Sequence, residues 1–226
     1  TCALPISNGV VTTRGIYYAK KIISSIDATM TFTKLINGFY RESARVKTFR
    51  VTPSVLAVFL GIDNCSEDYA HHNVWAISKY NTGNYLCPSR DDLRNNNISA
   101  LLISQLNNGY AGGLDTKMSL SMFLLVPYLG KTFWVNNKEA VADKMLRYCK
   151  SFMEVRDYSC KSVATPLTYE RYTNNRNGAA FGWKSTNTQI MAKNFPLHTS
   201  IRNLFLAGHW CTCGLGQAGV PGAALS

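Results

Sequence analysis

Residues 203–226 read Asn203-Leu-Phe-Leu-Ala-Gly208-His209-Trp210-Cys211-Thr-Cys213-Gly214-Leu-Gly216-Gln-Ala-Gly219-Val220-Pro221-Gly222-Ala223-Ala224-Leu-Ser226. A short apolar strand runs into a glycine-rich loop. The loop runs into what reads as the first turn of a helix, where Pro221 is tolerated. That order brings backbone amides and the positive end of a helix up to a ligand. Gly219, Gly222, Ala223 and Ala224 carry no bulk, so a flat or wide group has room against them. Gly214, Gly216 and Gly219 spell G-x-G-x-x-G, but a dinucleotide site also needs a full helix, a second strand and an acid about 20 residues on. Only seven residues follow Gly219, so the triplet is not read as a complete Rossmann site, and a plain glycine turn has the same spacing.

Three more stretches share a pattern with this one. Thr165-Pro166-Leu-Thr168-Tyr169-Glu170-Arg171-Tyr172-Thr173 is followed by Asn177-Gly178-Ala-Ala-Phe181-Gly182-Trp183. Pro53-Ser54 opens an apolar run to Leu60-Gly61-Ile62-Asp63, and a hairpin-like start leads to Ala19-Lys-Lys-Ile-Ile-Ser-Ser25-Ile-Asp27. Taken in chain order they resemble the phytoene desaturase/carotenoid isomerase group of FAD-dependent oxidoreductases. That group has "NLYLAG" before "G-x-G-V-P-G-A-x-x-SG", "TP-x-T-x-E-R-Y…N-G-A-x-x-G", a "PS…v-y-l-G-l-d" strand and "A-d-x-V-I-S-x-x-D". The resemblance covers nearly the whole chain. It is specific in the last third and loose between about 64 and 116.

The resemblance implies an α/β protein, α+β within these 226 residues. Residues 1–27 and 196–226 would be C-terminal pieces of an FAD-binding, Rossmann-like domain, and 28–195 a mixed-sheet substrate-binding domain. It implies FAD as cofactor, contacted by Gly208, His209, Gly219, Val220, Pro221 and Ala223. It implies an apolar polyene substrate walled by Phe181 and Trp183, and strands 203–207 and 20–25 side by side. It assigns no catalytic acid or base. The family's N-terminal βαβ fingerprint for the ADP half of FAD is absent, so the chain is expected to be a C-terminal fragment, inactive alone.

Composition bounds these expectations. The chain is 46% hydrophobic, enough for a sizeable core, and no run of 18 apolar residues offers a membrane span. It carries 24 Lys+Arg against 13 Asp+Glu, a formal charge of +11. The densest basic stretch is Arg41, Arg45, Lys47 and Arg50, interrupted by Glu42. It lacks the interleaved aromatics of a single-strand nucleic-acid platform, so no nucleic acid is expected. A basic surface and an apolar substrate point to a cytoplasmic protein held peripherally on membrane. The seven cysteines are odd in number and dispersed, and read as mostly free thiols in a reducing compartment.

Periodicity supplies the elements. Val10 to Thr13 and Ile16 to Tyr18 flank Arg14-Gly15 as a hairpin, and Lys20 to Ser25 reads as a strand. Asp27 is a helix N-cap, Phe32, Leu35 and Ile36 follow at helical spacing, and Gly38 is a stop. Val55 to Leu60 reads as a buried strand. Met118, Leu120, Met122, Leu124 and Val126 alternate with polar residues as a one-sided strand ended by Pro127. A helix is predicted from about 137 to 154, starting at Asn136 and Glu139, with Val141, Met145, Cys149, Phe152 and Met153 as its stripe and Asp143 paired to Arg147. Residues 64–116 carry no clear period.

His209-Trp-Cys211-Thr-Cys213 has metal-ligand residue types, yet no second pair of ligands stands at zinc spacing, so no metal is expected. A Cys–His nucleophile lacks a supporting pattern. Two function classes therefore stand: an FAD-dependent oxidoreductase that desaturates, saturates or isomerises a polyene, and a non-enzymatic basic module for nucleic acid or anionic membrane. A relative that keeps the fold without the cofactor is a third.

Overall fold

The computed structural model describes residues 5–36, 38, 40–62, 73–78, 87–95, 97–107, 118–155, 157–191 and 197–211. Helices and strands occur in mixed order, an α+β arrangement, and the chain divides into two compact units, Thr1–Thr52 with Glu170–Ser226 and Pro53–Tyr169.

The first unit opens with the expected hairpin, β1 (Gly9–Thr12) antiparallel to β2 (Gly15–Tyr18). Thr12 closes its turn by accepting from Arg14 N–H at 3.1 Å and donating to Gly15 O at 3.0 Å. Gly15 has φ +134°, which a side chain would resist. Strand β3 (Ile22–Ser24) lies parallel to β9 (Leu204–Leu206), with Ile22 opposite Leu204 and Ser24 opposite Leu206. The two short apolar runs at 20–25 and 203–207 thus share one sheet.

Helix α1 (Ala28–Met30) starts at Asp27, whose carboxylate accepts Thr29 N–H at 2.6 Å. It continues as a π turn, Thr31–Leu35. The wider turn carries Leu35 off the face of Phe32: Phe32 is buried and Leu35 exposed, where helical spacing predicts a common face. In α2 (Arg41–Thr48), Arg41 and Lys47 face solvent, while Glu42 is buried and accepts Ser200 N–H and Oγ–H at 2.6 Å each. The one acid of the basic stretch is therefore turned inward. Ala28, Phe32, Val46, Phe49, Ala179 and Trp183 pack with Leu204, Leu206 and Trp210 in a single core. This packing places 28–52 and 170–191 with β3 and β9, so the units divide at 52/53 and 169/170, against the expected 27/28 and 195/196.

The second unit is a five-stranded sheet with one long helix. Strands β4 (Ser54–Ile62), β5 (Asn73–Ile77), β6 (Ala100–Asn107), β7 (Met118–Val126) and β8 (Tyr158–Ala164) lie in the order β5-β6-β7-β4-β8. Short helix α3 (Arg90–Arg94) precedes β6. All four pairings of this sheet are antiparallel, not mixed; parallel pairing occurs in the first unit, in β3–β9 and at the Ile6–Arg202 bridge. Met118, Leu120, Met122, Leu124 and Val126 are buried, as their alternation predicts, and pack with Leu56, Val58, Leu60 and Ile62. Against them lies α4 (Gly130–Lys150).

Helix α4 begins at Gly130 rather than near Asn136, with no side-chain cap at Leu129. Phe133 and Trp134 extend the buried stripe of Val141, Met145 and Cys149 toward its start, and this burial outweighs the missing cap. Asp143 meets Lys161 of β8 at 2.7 Å. Helix α5 (Pro166–Thr173) carries the chain back to the first unit, where α6 (Asn187–Met191) precedes β9. Among the described residues no helix is long and apolar enough to cross a membrane.

Candidate cofactor site

The site is built at the carboxyl ends of β3 and β9. Because the strands are parallel, both deliver their following residues to the same edge: Ser25, Ile26 and Asp27 from one, and Ala207, Gly208, His209 and Trp210 from the other. Ala207 N–H donates to Ser24 O at 2.9 Å and carries the pairing one residue further. Gly208 then turns out of the strand with φ +86°, and Cys211 N–H closes the turn on Gly208 O at 3.1 Å.

Asp27 is completely buried. One carboxylate oxygen caps α1 and the other accepts Arg176 N–H at 2.6 Å. The Arg176 guanidinium donates to Val46 O at 2.8 Å and to Phe49 O, and lies 5.4 Å from the Trp183 ring centre. Burial lowers the pKa of Arg176, and Asp27 opposes the shift. The turn around Arg176 explains its neighbours. Asn174, Asn177, Gly178 and Gly182 all have positive φ, between 55° and 76°, the left-handed region that Asn and Gly adopt most readily.

Trp183 is fully buried, edge-on to Phe49 at 5.3 Å and to Trp210 at 4.9 Å, and its Nε1–H donates to Trp210 O at 2.7 Å. Its neighbours are protein groups on each side. Phe181 is 42% exposed, so of the two aromatics expected against a substrate it alone presents a surface. Gly182 holds His209 in place: a Cβ there would stand 2.7 Å from His209 O and 2.9 Å from its ring.

His209 Nε2 and Trp210 Nε1 are both buried and have no hydrogen-bond partner among the described residues. Such groups cost roughly 1–3 kcal/mol each when left unsatisfied. Burial lowers the His209 pKa, and Asp27 partly offsets this, so the neutral imidazole is favoured. Burial also raises the Cys211 thiol to about 11, which keeps it protonated. Cys160 and Cys211 are free thiols. Among the described residues no three metal-binding side chains gather.

Gly208 and His209 thus stand together at the strand ends, beside Trp183. Gly219, Val220, Pro221 and Ala223 lie outside the described residues. The Asp27–Arg176 contact was not legible as a pair. Its only sequence signal was the turn chemistry of Asn174 to Gly178, which marks a tight bend but names no partner. No protein-family model matches the chain, and no curated protein sequence matches it significantly.

Proposed function

We propose that the chain is part of an FAD-dependent oxidoreductase that acts on the carbon–carbon bonds of a long apolar polyene, by desaturation, saturation or isomerisation. The observation that carries this reading is the parallel β3–β9 pair with Gly208, His209 and Asp27 at its carboxyl edge. Ligands of open parallel sheets bind at that edge. The resemblance of the 203–226 segment to flavin-contacting sequence points to the same place.

The residues fit such a group. Trp210 Nε1–H donates only, and neutral His209 Nε2 donates or accepts. Both are buried and lack a partner among the described residues. A flavin offers carbonyl, hydroxyl and phosphate oxygens that would satisfy them. Among the described residues a Cβ at Gly208 would meet Ser25 O alone, at 3.8 Å. Gly208 and His209 would hold the cofactor with Gly219, Val220, Pro221 and Ala223, and the bound flavin would supply the hydride or two-electron step. Asp27 and Arg176 position the edge, Trp183 and Phe49 exclude water behind it, and Phe181 would face substrate.

Peripheral attachment to membrane belongs to the same reading. Val11, Ile16, Tyr17 and Tyr18 of the hairpin are exposed, with exposed Arg14, Lys20 and Lys21 beside them in sequence. Apolar residues flanked by cations suit an anionic lipid surface. The test of the central reading is flavin absorbance per mole of folded protein. A yellow wild type that Gly219→Trp or Ala223→Trp turns colourless is expected. Full occupancy in both variants would overturn the site, and a colourless wild type would overturn the reading.

A further inference from the structure

Charge is divided unequally between the two units. Thirteen of the 24 Lys and Arg, but three of the 13 Asp and Glu, fall in the first unit, so it carries 13 minus 3, or +10, of the formal +11. Two of those acids, Asp27 and Glu42, are buried and turned inward to backbone N–H donors. A surface of that kind draws anions. It does not by itself fix where one would sit.

Within this unit a cavity of about 370 Å³ lies between the end of α2 and the start of α6, lined by Thr48, Phe49, Arg50, Thr186, Thr188 and Gln189. Buried Gln189 fixes its walls. Gln189 Oε1 accepts Arg50 N–H at 2.7 Å, and its Nε2 donates to Arg50 O at 3.0 Å and to Lys184 O at 2.8 Å. Lys184 N–H donates to the same Arg50 O at 2.8 Å, and Val51 bridges Trp183. The backbone of Arg50 is thus held firmly, while the residue itself is exposed.

The polar groups here sort into spent acceptors and unspent donors. Arg50 O takes the two bonds just given. Arg45 O accepts Thr48 Oγ–H and Phe49 N–H, and Val46 O and Phe49 O accept the Arg176 guanidinium, so these carbonyls at the end of α2 are spent. Thr186 Oγ accepts Gln189 N–H at 3.2 Å and meets Thr188 Oγ at 3.1 Å. That pair has two hydroxyl hydrogens and one bond between them, so one hydrogen is left over whichever oxygen donates. Among the described residues the Arg50 guanidinium has no ion pair. Neither 43–52 nor 171–191 contains an Asp or Glu to supply one, and Lys47 and Lys184 of the same two segments are exposed. A guanidinium fork with a hydroxyl donor beside it matches the oxygens of a phosphate. The volume lies at the small end of the range of about 300–1,000 Å³ found for ligand pockets.

We propose that this cavity binds a phosphate monoester group, held by the Arg50 guanidinium and the Thr186–Thr188 hydroxyl pair. The proposal does not rest on the flavin reading, and either can fail alone.

The first arm of the test is isothermal titration calorimetry with glycerol 3-phosphate in about 0.15 M sodium chloride, where charges more than about 8 Å apart are largely screened. Wild type is expected to bind. Arg50→Gln is expected to weaken binding at least about tenfold, and Arg50→Lys, which keeps the charge without the fork, by less. Lys34→Gln removes an equal charge from another exposed site of the unit and is expected to bind as wild type does. Arg50 is held through its backbone, so its variants are expected to fold, which circular dichroism checks. The second arm is sedimentation of the same variants with phosphatidylcholine vesicles that contain phosphatidic acid. Binding of glycerol 3-phosphate that Arg50→Gln weakens supports the site with a small soluble ligand. Arg50-dependent binding of the vesicles alone supports it with a lipid headgroup. No Arg50-dependent binding in either arm, or equal losses in Arg50→Gln and Lys34→Gln, would overturn the proposal.

Discussion

The carboxylate of Asp27 accepts the backbone N–H of Arg176 at 2.6 Å, across 149 positions of sequence. The same carboxylate caps α1, and the Arg176 guanidinium reaches Val46 O and Phe49 O while covering Trp183. One buried acid therefore ties the end of β3, α2 and the turn before Trp183 into one frame. His209 and Trp210 are set against that frame.

Removing the acid tests it. Asp27→Ala leaves two buried N–H donors without an acceptor and deletes an N-cap, and is expected to cost about 2–4 kcal/mol. Asp27→Asn keeps one good acceptor and is expected to cost about half of that. The measurement is the urea midpoint of the transition reported by tryptophan fluorescence. A variant as stable as wild type would show that Arg176 N–H finds another partner.

Gly182 and Gly208 form a matched pair. Both have positive φ, +76° and +86°, but a Cβ at 182 would strike His209, while one at 208 would make ordinary contact with Ser25 O at 3.8 Å. Gly208→Ala is expected to cost about 1 kcal/mol of backbone strain. Gly182→Ala carries the same strain plus the clash, and is expected to cost about 2–4 kcal/mol and to displace His209. Equal midpoints for the two variants would show that the His209 contact is soft.

His209 links this region to pH. Its pKa is lowered in the folded chain, chiefly by burial, from an ordinary value of 6.5. Below that value the unfolded chain takes up a proton that the folded chain refuses. Stability is thus fully present above about pH 6.5 and falls as pH drops toward the lowered folded value. His209→Gln is expected to flatten part of the slope between about pH 7.5 and 5.5. An unchanged slope would place the linkage on another group.

The hairpin carries the membrane expectation. Wild type is expected to sediment with phosphatidylserine vesicles at low salt and less at high salt, since exposed charges are screened. Val11→Asp with Tyr18→Asp, both at exposed positions, is expected to lower binding further at either salt. Binding unaffected by these changes would move the contact elsewhere on the chain.

Local chemistry was readable from residue order alone. The β1–β2 turn, the Asp27 cap and the alternation of β7 each follow from propensities or periods that act over a few residues, while the pairing of β3 with β9 was implied by the resemblance alone. The start of α4 was not readable. Asn136 and Glu139 have the form of a cap, yet Phe133 and Trp134 are buried ahead of them. The same limit applied to Leu35, whose face depended on a π turn that no short pattern marks. The row of Trp75, Leu102 and Phe123 also escaped the sequence, because β5 and β6 fall in the stretch without a clear period and only the strand order brings these residues together.

The sequence by itself determined which segments are strands and helices where burial is one-sided, and that the 203–226 segment has the residue types to meet a ligand. Tertiary structure alone decided that Asp27 is spent on Arg176, that Trp183 is enclosed, and that His209 and Trp210 bury ring nitrogens with no partner among the described residues. Short-range preferences are fixed by neighbours along the chain. Burial and hydrogen-bond partnership are fixed by groups more than a hundred residues away, and no local pattern encodes them.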